Sequence, residues 1–442
     1  MSYETGKLLI NNKQFKKAYC IFSKLLREKP NDFKINFQMG KMYYELNDLD
    51  KSVFYFKRSN KLQPNNSNIL FNLALVFQGM GQIEKAKKIY LDLISINSND
   101  VKSYYGLFIL NIENITNEFI QNLELIKNNN KISLFEKSLI NFIFSKFAKQ
   151  RDNLNDEINF LELSHQDCYN SNTIFNSQSD FYYKNVISNN FNKIIFNNEF
   201  KILPEFNNQN HIFIVGLPRS GSSLVETIIS HNDPNIKSVG EFHGINRSIF
   251  EQIGKTIYEK NFDYKKYKLT IDRKKFQEAL IEKYDNFEKK IYLDKSLENF
   301  FNIEIILQFF PNAKFIHTHR GFNDAVIGIY QAMLHEISWT HKIEDIISYI
   351  SIYNKTIDYF KNKYPEKILD IELSKLSNQK EFETKKILDF CNIKYDHDYL
   401  DYDKNNKLFN KTSSFLQVRN KIKEYEVNKY KPYFHLIDKK NN

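Results

Sequence analysis

The residues best suited to chemistry lie in one run, Gly216-Leu217-Pro218-Arg219-Ser220-Gly221-Ser222-Ser223. The apolar stretch His211–Val215 precedes it, and Leu224–Ile229 follows with the character of a helix. The order is therefore buried strand, glycine-containing loop, helix. The first amides of a helix have no intrahelical partner and the macrodipole is positive there, so such a loop is built to receive an anion. Gly221 lets the backbone come close, Ser222 and Ser223 add hydroxyl donors, and Arg219 adds a planar cation. The spacing of Gly216 and Gly221 matches the pattern G-x-x-x-x-G-K-[ST], but Ser222 stands where that pattern has its lysine. That lysine serves β- and γ-phosphates, so a kinase or ATPase is disfavoured.

The stretch Phe213-Ile-Val-Gly-Leu-Pro-Arg-Ser-Gly-Ser-Ser-Leu-Val-Glu226 resembles the 5′-phosphosulfate loop of the sulfotransferases. It is closest to the tyrosylprotein sulfotransferases and their bacterial relatives fused to helical repeats. The resemblance extends over about residues 210–435. It implies a P-loop-like α/β domain that uses 3′-phosphoadenosine-5′-phosphosulfate (PAPS) as co-substrate and needs no metal. A ligand with one 5′-phosphate and one sulfonate needs less cationic charge at position 222. Gly216, Pro218, Arg219, Ser220, Gly221, Ser222 and Ser223 are then the expected 5′-phosphate contacts, with Arg219 also a catalytic contact.

The same resemblance gives roles to residues further along. Gly240-Glu241 stands where the tyrosylprotein relatives carry their catalytic carboxylate, and a hydroxyl nucleophile must lose a proton as sulfuryl transfers. His243 is the alternative base, as in the cytosolic sulfotransferases. Ile291-Tyr-Leu-Asp-Lys-Ser296 places a catalytic lysine at Lys295, where a cation neutralises charge on the bridging oxygen. Arg320 closes Phe310-Pro-Asn-Ala-Lys-Phe-Ile-His-Thr-His-Arg320 and implies a 3′-phosphate contact. The family's serine eight residues later is Gly328 here, and the second cation after the arginine is missing from Gly321-Phe-Asn323. Thr412-Ser-Ser414 with Gln417-Val-Arg419 resembles the family's late Ser-x-x-Gln-Val-Arg segment, and Asn428-Lys429-Tyr-Lys431 its closing basic loop. Arg419, Lys429 and Lys431 are therefore expected on the nucleotide side.

The elements that must position these groups follow from patterning. His211–Val215, Ile291–Asp294, the run ending at Arg320 and Ile368–Glu372 read as buried strands separated by helices. That order implies a parallel sheet with a site at the strands' carboxyl ends, where Arg219, Lys295 and Arg320 all fall. Ahead of it, Pro30, Pro64 and Ser98 mark segments recurring every 34 residues. Gly6, Gly40 and Ala74 share a register position, as do Ala18, Ser52 and Ala86, and Phe22, Phe56 and Tyr90. Small residues allow two helices to approach, and aromatics four residues after the second small position fill the groove. This resembles the tetratricopeptide repeat over about residues 2–100. A fourth unit begins near Val101, and 132–167 reads as another helix pair, with Leu139, Phe142, Ile143 and Phe147 on one face and Ile158, Leu161 and Leu163 on the other helix. The expected division is helical repeats over 1–168, a linker with a short helix near Ser177–Ile187 over 169–209, and a sulfotransferase domain over 210–442.

Composition sets the outer limits. The 442 residues are too many for one ordinary core, and 42% hydrophobic residues argue against wholesale disorder. The net charge of +10 comes from lysines interleaved with acids, without a basic stripe, so no nucleic-acid partner is expected. Cys20, Cys168 and Cys391 lack disulfide or metal spacing, which suits a reducing, cytoplasmic setting. No apolar stretch approaches the roughly 18 residues of a membrane span, and the start has no signal-peptide pattern. The expected activity is sulfuryl transfer to an acceptor hydroxyl, protein tyrosine first, with the repeats binding a peptide or protein. The alternatives are a glycan or small-molecule acceptor, and a repeat scaffold whose catalysis is impaired.

Overall fold

The computed structural model describes residues 2–111, 116–129, 131–198, 210–230, 235–259, 261–283, 291–394 and 423–441. Among them, contacts separate two compact units: 2–176 with 333–341, and 177–332 with 342–394 and 423–441.

The first unit is a stack of antiparallel helices: α1 Tyr3–Asn11, α2 Phe15–Glu28, α3 Phe33–Glu45, α4 Leu49–Leu62, α5 Ser67–Gly79, α6 Ile83–Ile96, α7 Val101–Leu110, α8 Asn117–Lys127, α9 Leu134–Gln150 and α10 Leu154–Ser171. The 34-residue period has a local cause. Asp32, Asn66 and Asp100 are the N-caps of α3, α5 and α7, each accepting a backbone N–H of the first turn. Within a unit the aromatic packs on the glycine: a Cβ on Gly6 would sit 2.8 Å from the Phe22 ring, and one on Gly40 2.7 Å from the Phe56 ring. Tyr90 meets Gly106 of the next helix in the same manner, at 2.5 Å. Ser52 adds a buried hydroxyl bond to the Gly40 carbonyl, 2.9 Å. Gly40→Ala, normally favourable in a helix, is therefore expected to destabilise the protein by about 1–3 kcal/mol through overpacking. A lowered urea midpoint in circular dichroism checks it.

Leu139, Ile143 and Phe142 are buried on α9, and Leu161 on α10. Leu163, expected beside Leu161, is instead 37% exposed: two positions along a helix turns the side chain to the opposite face. His165 of α10 meets His341 of the 333–341 segment, Nδ1 to Nδ1 at 3.1 Å, and both are buried. Burial pushes His335 and His341 down to about 4, with His335 adding repulsion at His341. Both folded values lie below the ordinary value of 6.5. Their contribution is thus complete above pH 6.5 and is lost as pH falls through about 4. Denaturant midpoints measured across that range should fall, and fall less in a His335→Gln/His341→Gln variant.

The second unit begins within α11, Thr173–Phe181, which continues through a π-helical turn, Tyr182–Ile187. A short strand β1, Ile195–Asn197, pairs in parallel with β4, Thr270–Asp272. The main sheet holds β2 Asn210–Gly216, β3 Ile236–Gly240, β5 Ile291–Asp294, β6 Lys314–His319 and β7 Ile368–Glu372. Its order is β3-β5-β2-β6-β7, and every pairing is parallel. Residues alternate between its two faces, as the pleat requires. Ile212, Ile214, Leu293, Ile316 and Ile371 pack with Val225 and Ile228 of α12, Ser222–Ser230. His211, Phe213, Phe310 and Phe315 form an aromatic layer, with Phe213 and Phe315 5.5 Å apart. The remaining helices are α13 Gly244–Ile257, α14 Arg273–Lys283, α15 Ile303–Phe309, α16 Phe322–Tyr330, α17 Ile343–Lys363, α18 Leu373–Asn378, α19 Lys380–Cys391 and α20 His435–Asn441. The fold is a helical repeat followed by an α/β domain with a parallel sheet. No helix of the described residues is long and apolar enough to cross a membrane.

Candidate active site

The loop between β2 and α12 is shaped by residues whose own geometry is unusual. Gly216 has φ +147°, and a Cβ there would lie 2.3 Å from the Thr318 carbonyl oxygen of neighbouring β6. Gly221 has φ +93° against Leu373, which leaves only a hydrogen where a side chain would fill the turn. Arg219 adopts a left-handed φ of +65°. Ser220 does not present its hydroxyl outward: Oγ donates to the Leu217 carbonyl at 2.6 Å and lies 2.8 Å from Thr318 Oγ1, wholly buried. It braces the loop against β6. Ser222 and Ser223 open α12, and Leu224 and Val225 already donate back to the Gly221 carbonyl.

Lys295 follows the last residue of β5, and its backbone N–H donates to the Gly240 carbonyl at 2.9 Å. Its side chain is 1% exposed. Nζ lies 3.3 Å from Ser223 Oγ, 3.1 Å from Glu241 Oε1 and 3.2 Å from Glu226 Oε2. Burial alone would lower the Lys295 pKa, but the two carboxylates outweigh it and the group is raised. The loop after β2, the lysine after β5 and the carboxylate after β3 thus converge within hydrogen-bond reach.

Glu241 follows a register shift in β3 and Gly240 at φ +61°. Its side chain is 46% exposed, so it stands at the mouth of the site rather than in its interior. His243, the alternative base, caps α13 and has another partner. Its Nδ1 is hydrogen-bonded to Glu298 Oε1, which also accepts from Asn246 at 2.7 Å. Burial opposes the charged ring, yet Glu298 raises it to about 9. An imidazolium has no lone pair to accept a proton, so His243 is not placed as a base at neutral pH.

Arg320 lies at the end of β6. It donates to the Arg219 carbonyl at 3.1 Å, to Asp324 at 3.3 Å and to Tyr425 Oη at 2.9 Å. The Tyr430 ring lies 5.0 Å from its guanidinium carbon. A Cβ on Gly328 would approach an Arg320 nitrogen to 3.2 Å and Tyr430 Oη to 3.4 Å, so the space of the expected serine is taken by these two side chains. Lys429 and Lys431 are both exposed; Tyr430 between them is the residue that reaches Arg320. Arg419, with Thr412–Gln417, lies outside the described residues.

Sequence reasoning gave no role to Glu226, Tyr425 or Tyr430. Glu226 had a signal: it lies four residues after Ser222 on α12 and is that helix's one charged residue. A cleft of about 280 Å³ shares Leu217 and Arg320 with this region, but its floor is His317, Tyr353 and Asp370 rather than Lys295 or Glu241. There His317 bridges Asp370, at 2.6 Å, and the Tyr353 hydroxyl. Among the described residues no group of three or more His, Cys, Asp or Glu is arranged to hold a metal ion.

The model of the sulfotransferase family matches residues 211–397, and tetratricopeptide-repeat models match 33–66 and 55–88. An uncharacterized protein of Aquifex aeolicus (strain VF5) is 23% identical over 376 residues, covering 81% of this chain and 47% of its own. The chain therefore spans about half the length of that relative. A crystal structure of MamA matches 38% of this chain and 95% of its own at 14% identity, with a TM-score of 0.31. Residues 211–397, which hold the loop, Glu241, Lys295 and Arg320, form a domain of the sulfotransferase family set behind tetratricopeptide repeats.

Proposed function

We propose that this protein transfers a sulfuryl group from PAPS directly to an acceptor hydroxyl, with tyrosine in a peptide or protein as the first acceptor class. The observation that carries the reading is Lys295 Nζ, held 3.3 Å from Ser223 Oγ at the start of α12 and 3.1 Å from Glu241. The cradle suits the donor: Gly216 and Gly221 admit no side chain, and the amides of residues 220–223 with Arg219 hold the 5′-phosphate. Arg320 meets the 3′-phosphate by exchanging its contact with Asp324. Glu241 takes the acceptor proton as the new S–O bond forms. The electron pair of the breaking S–O bond stays on the bridging oxygen, where Lys295 neutralises it. The repeat arm, about residues 1–168, presents the peptide or protein. The free cysteines Cys20, Cys168 and Cys391 suit a reducing compartment such as the cytoplasm.

The test is incubation of the full chain with ³⁵S-labelled PAPS and separate panels of tyrosine peptides, phenols and glycans. Label on peptide, lost when the arm's peptide surface is competed, supports the full reading; label on glycan or phenol alone replaces the acceptor. A second reading, a binding protein with impaired transfer, is favoured by the engagement of Arg320 with Asp324 and Tyr425 and by Gly328. Titration calorimetry with 3′-phosphoadenosine 5′-phosphate separates the two. Tight binding without transfer to any panel would establish the second, and neither binding nor transfer would remove both.

A further inference from the structure

Lys295 is one buried ammonium facing two carboxylates, and the two differ. Glu226 is 13% exposed, belongs to the second turn of α12, and accepts a second hydrogen bond from Ser238 Oγ of β3 at 2.5 Å. Glu241 is 46% exposed and follows the bulged end of β3. One partner is pinned between a helix and a strand; the other stands at the entrance. We propose that Glu226 is the resident counter-ion of Lys295, a positioning residue that holds the ammonium against Ser223 while Glu241 turns away to meet the acceptor. This rests on the sulfuryl-transfer reading only for the step it serves.

The physical need is general. A fully buried ammonium that loses its last carboxylate becomes an uncompensated charge and sheds its proton instead. If Glu241 were the sole partner, each approach of an acceptor would leave Lys295 without one, at the moment when its charge is required on the bridging oxygen. With Glu226 in place the ammonium keeps both its proton and its direction, and Ser238 keeps Glu226 from following Glu241 outward. The raised state of Lys295, in which the charge of Glu226 is the largest upward cause and that of Glu241 the next, agrees with the arrangement.

The test uses the full chain as wild type, Glu226→Gln, Glu226→Asp and Ser238→Ala. Competitive acetylation with acetic anhydride across pH, read at the Lys295 peptide by mass spectrometry, reports the protonation midpoint of that amine and needs no acceptor. In Glu226→Gln the midpoint should fall by about one pH unit or more, Glu226→Asp should restore most of it, and Ser238→Ala should give a smaller fall in the same direction. The alkaline limb of kcat for labelled sulfuryl transfer should move down in parallel, with kcat reduced by about tenfold or more and affinity for 3′-phosphoadenosine 5′-phosphate little changed. An unmoved midpoint in folded Glu226→Gln and Ser238→Ala overturns the proposal, as does a loss of kcat that is equal at every pH. A shifted midpoint in a protein that transfers to no acceptor keeps the counter-ion role and removes the transferase reading, so the two failures are distinct.

Discussion

Lys295→Ala should lower the rate of sulfuryl transfer by about 10²–10³-fold while nucleotide binding through the loop survives. The side chain is buried and its Nζ reaches Ser223, so under the proposed function the ammonium stands beside the donor's sulfonate. Its charge matters most once the bridging S–O bond breaks, because the departing oxygen then carries the electron pair. An interaction stronger in the transition state than in the ground state appears in kcat rather than in binding. Single-turnover transfer of label, beside titration with 3′-phosphoadenosine 5′-phosphate, separates the two quantities. The substitution also leaves Glu226 and Glu241 facing each other without a cation, so a lower Tm is expected alongside. Equal transfer rates in variant and wild type would defeat the role given to Lys295.

Glu241→Gln should lower kcat by about 10²–10⁴-fold, the usual worth of a positioned general base. Glutamine keeps the shape and can still accept from Lys295, but it cannot take a proton from an acceptor hydroxyl. The ammonium retains Glu226, so folding should be nearly unaffected, in contrast with the lysine variant. His243→Gln is the necessary comparison. Because His243 is already charged and tied to Glu298, its loss should affect kcat much less than the loss of Glu241. Rates of labelled transfer for the two variants, taken with the same acceptor, decide between them. A larger defect in His243→Gln would reassign the base.

The parts of the fold that were legible in the sequence are those whose physics is local. A strand buried on both faces of a parallel sheet reads as an apolar run, as in Asn210–Gly216 and Ile291–Asp294, whereas the edge strand Ile368–Glu372 is half-buried and was legible from Ile368, Leu369 and Ile371 around Asp370. The repeats are legible because one unit recurs in phase. β1, β3 and β4 were not visible: Ile195–Asn197 and Thr270–Asp272 are three residues each, with Ile271 alone buried among the six, and Ile236–Gly240 is intermediate throughout. Leu163 was legible too: two positions beyond buried Leu161, helical periodicity turns it outward, and apolarity alone had grouped the two.

Within the site the same distinction holds. Arg219, Lys295 and Arg320 could be placed at strand ends because each follows or closes an apolar run. What the sequence hid is pairing over long separations. Glu226 meets Ser238 at a separation of 12 residues and meets Lys295 69 residues further on in the chain, while Tyr425 reaches Arg320 from a separation of 105. Ser220 was expected among the 5′-phosphate contacts with no separate role for its hydroxyl; that hydroxyl is spent on Leu217 and Thr318, a use that depends on which strand lies next to β2. The basic pair Lys429 and Lys431 drew attention by charge, whereas the ring between them makes the contact.

The cap side chains of Asp32, Asn66 and Asp100 also make the arm modular. Each marks a cut point at which one whole period, 34 residues, can be copied or removed so that the first-turn amide bonds at the joints re-form with identical partners. Duplicating the stretch from Asp32 through Asn65 would extend the array by one complete unit with its own Gly40–Phe56 contact. An insert of any other length would not carry a complete unit with cap, glycine and aromatic in register. Growth of this region by whole units alone is thus written into where three short polar side chains sit.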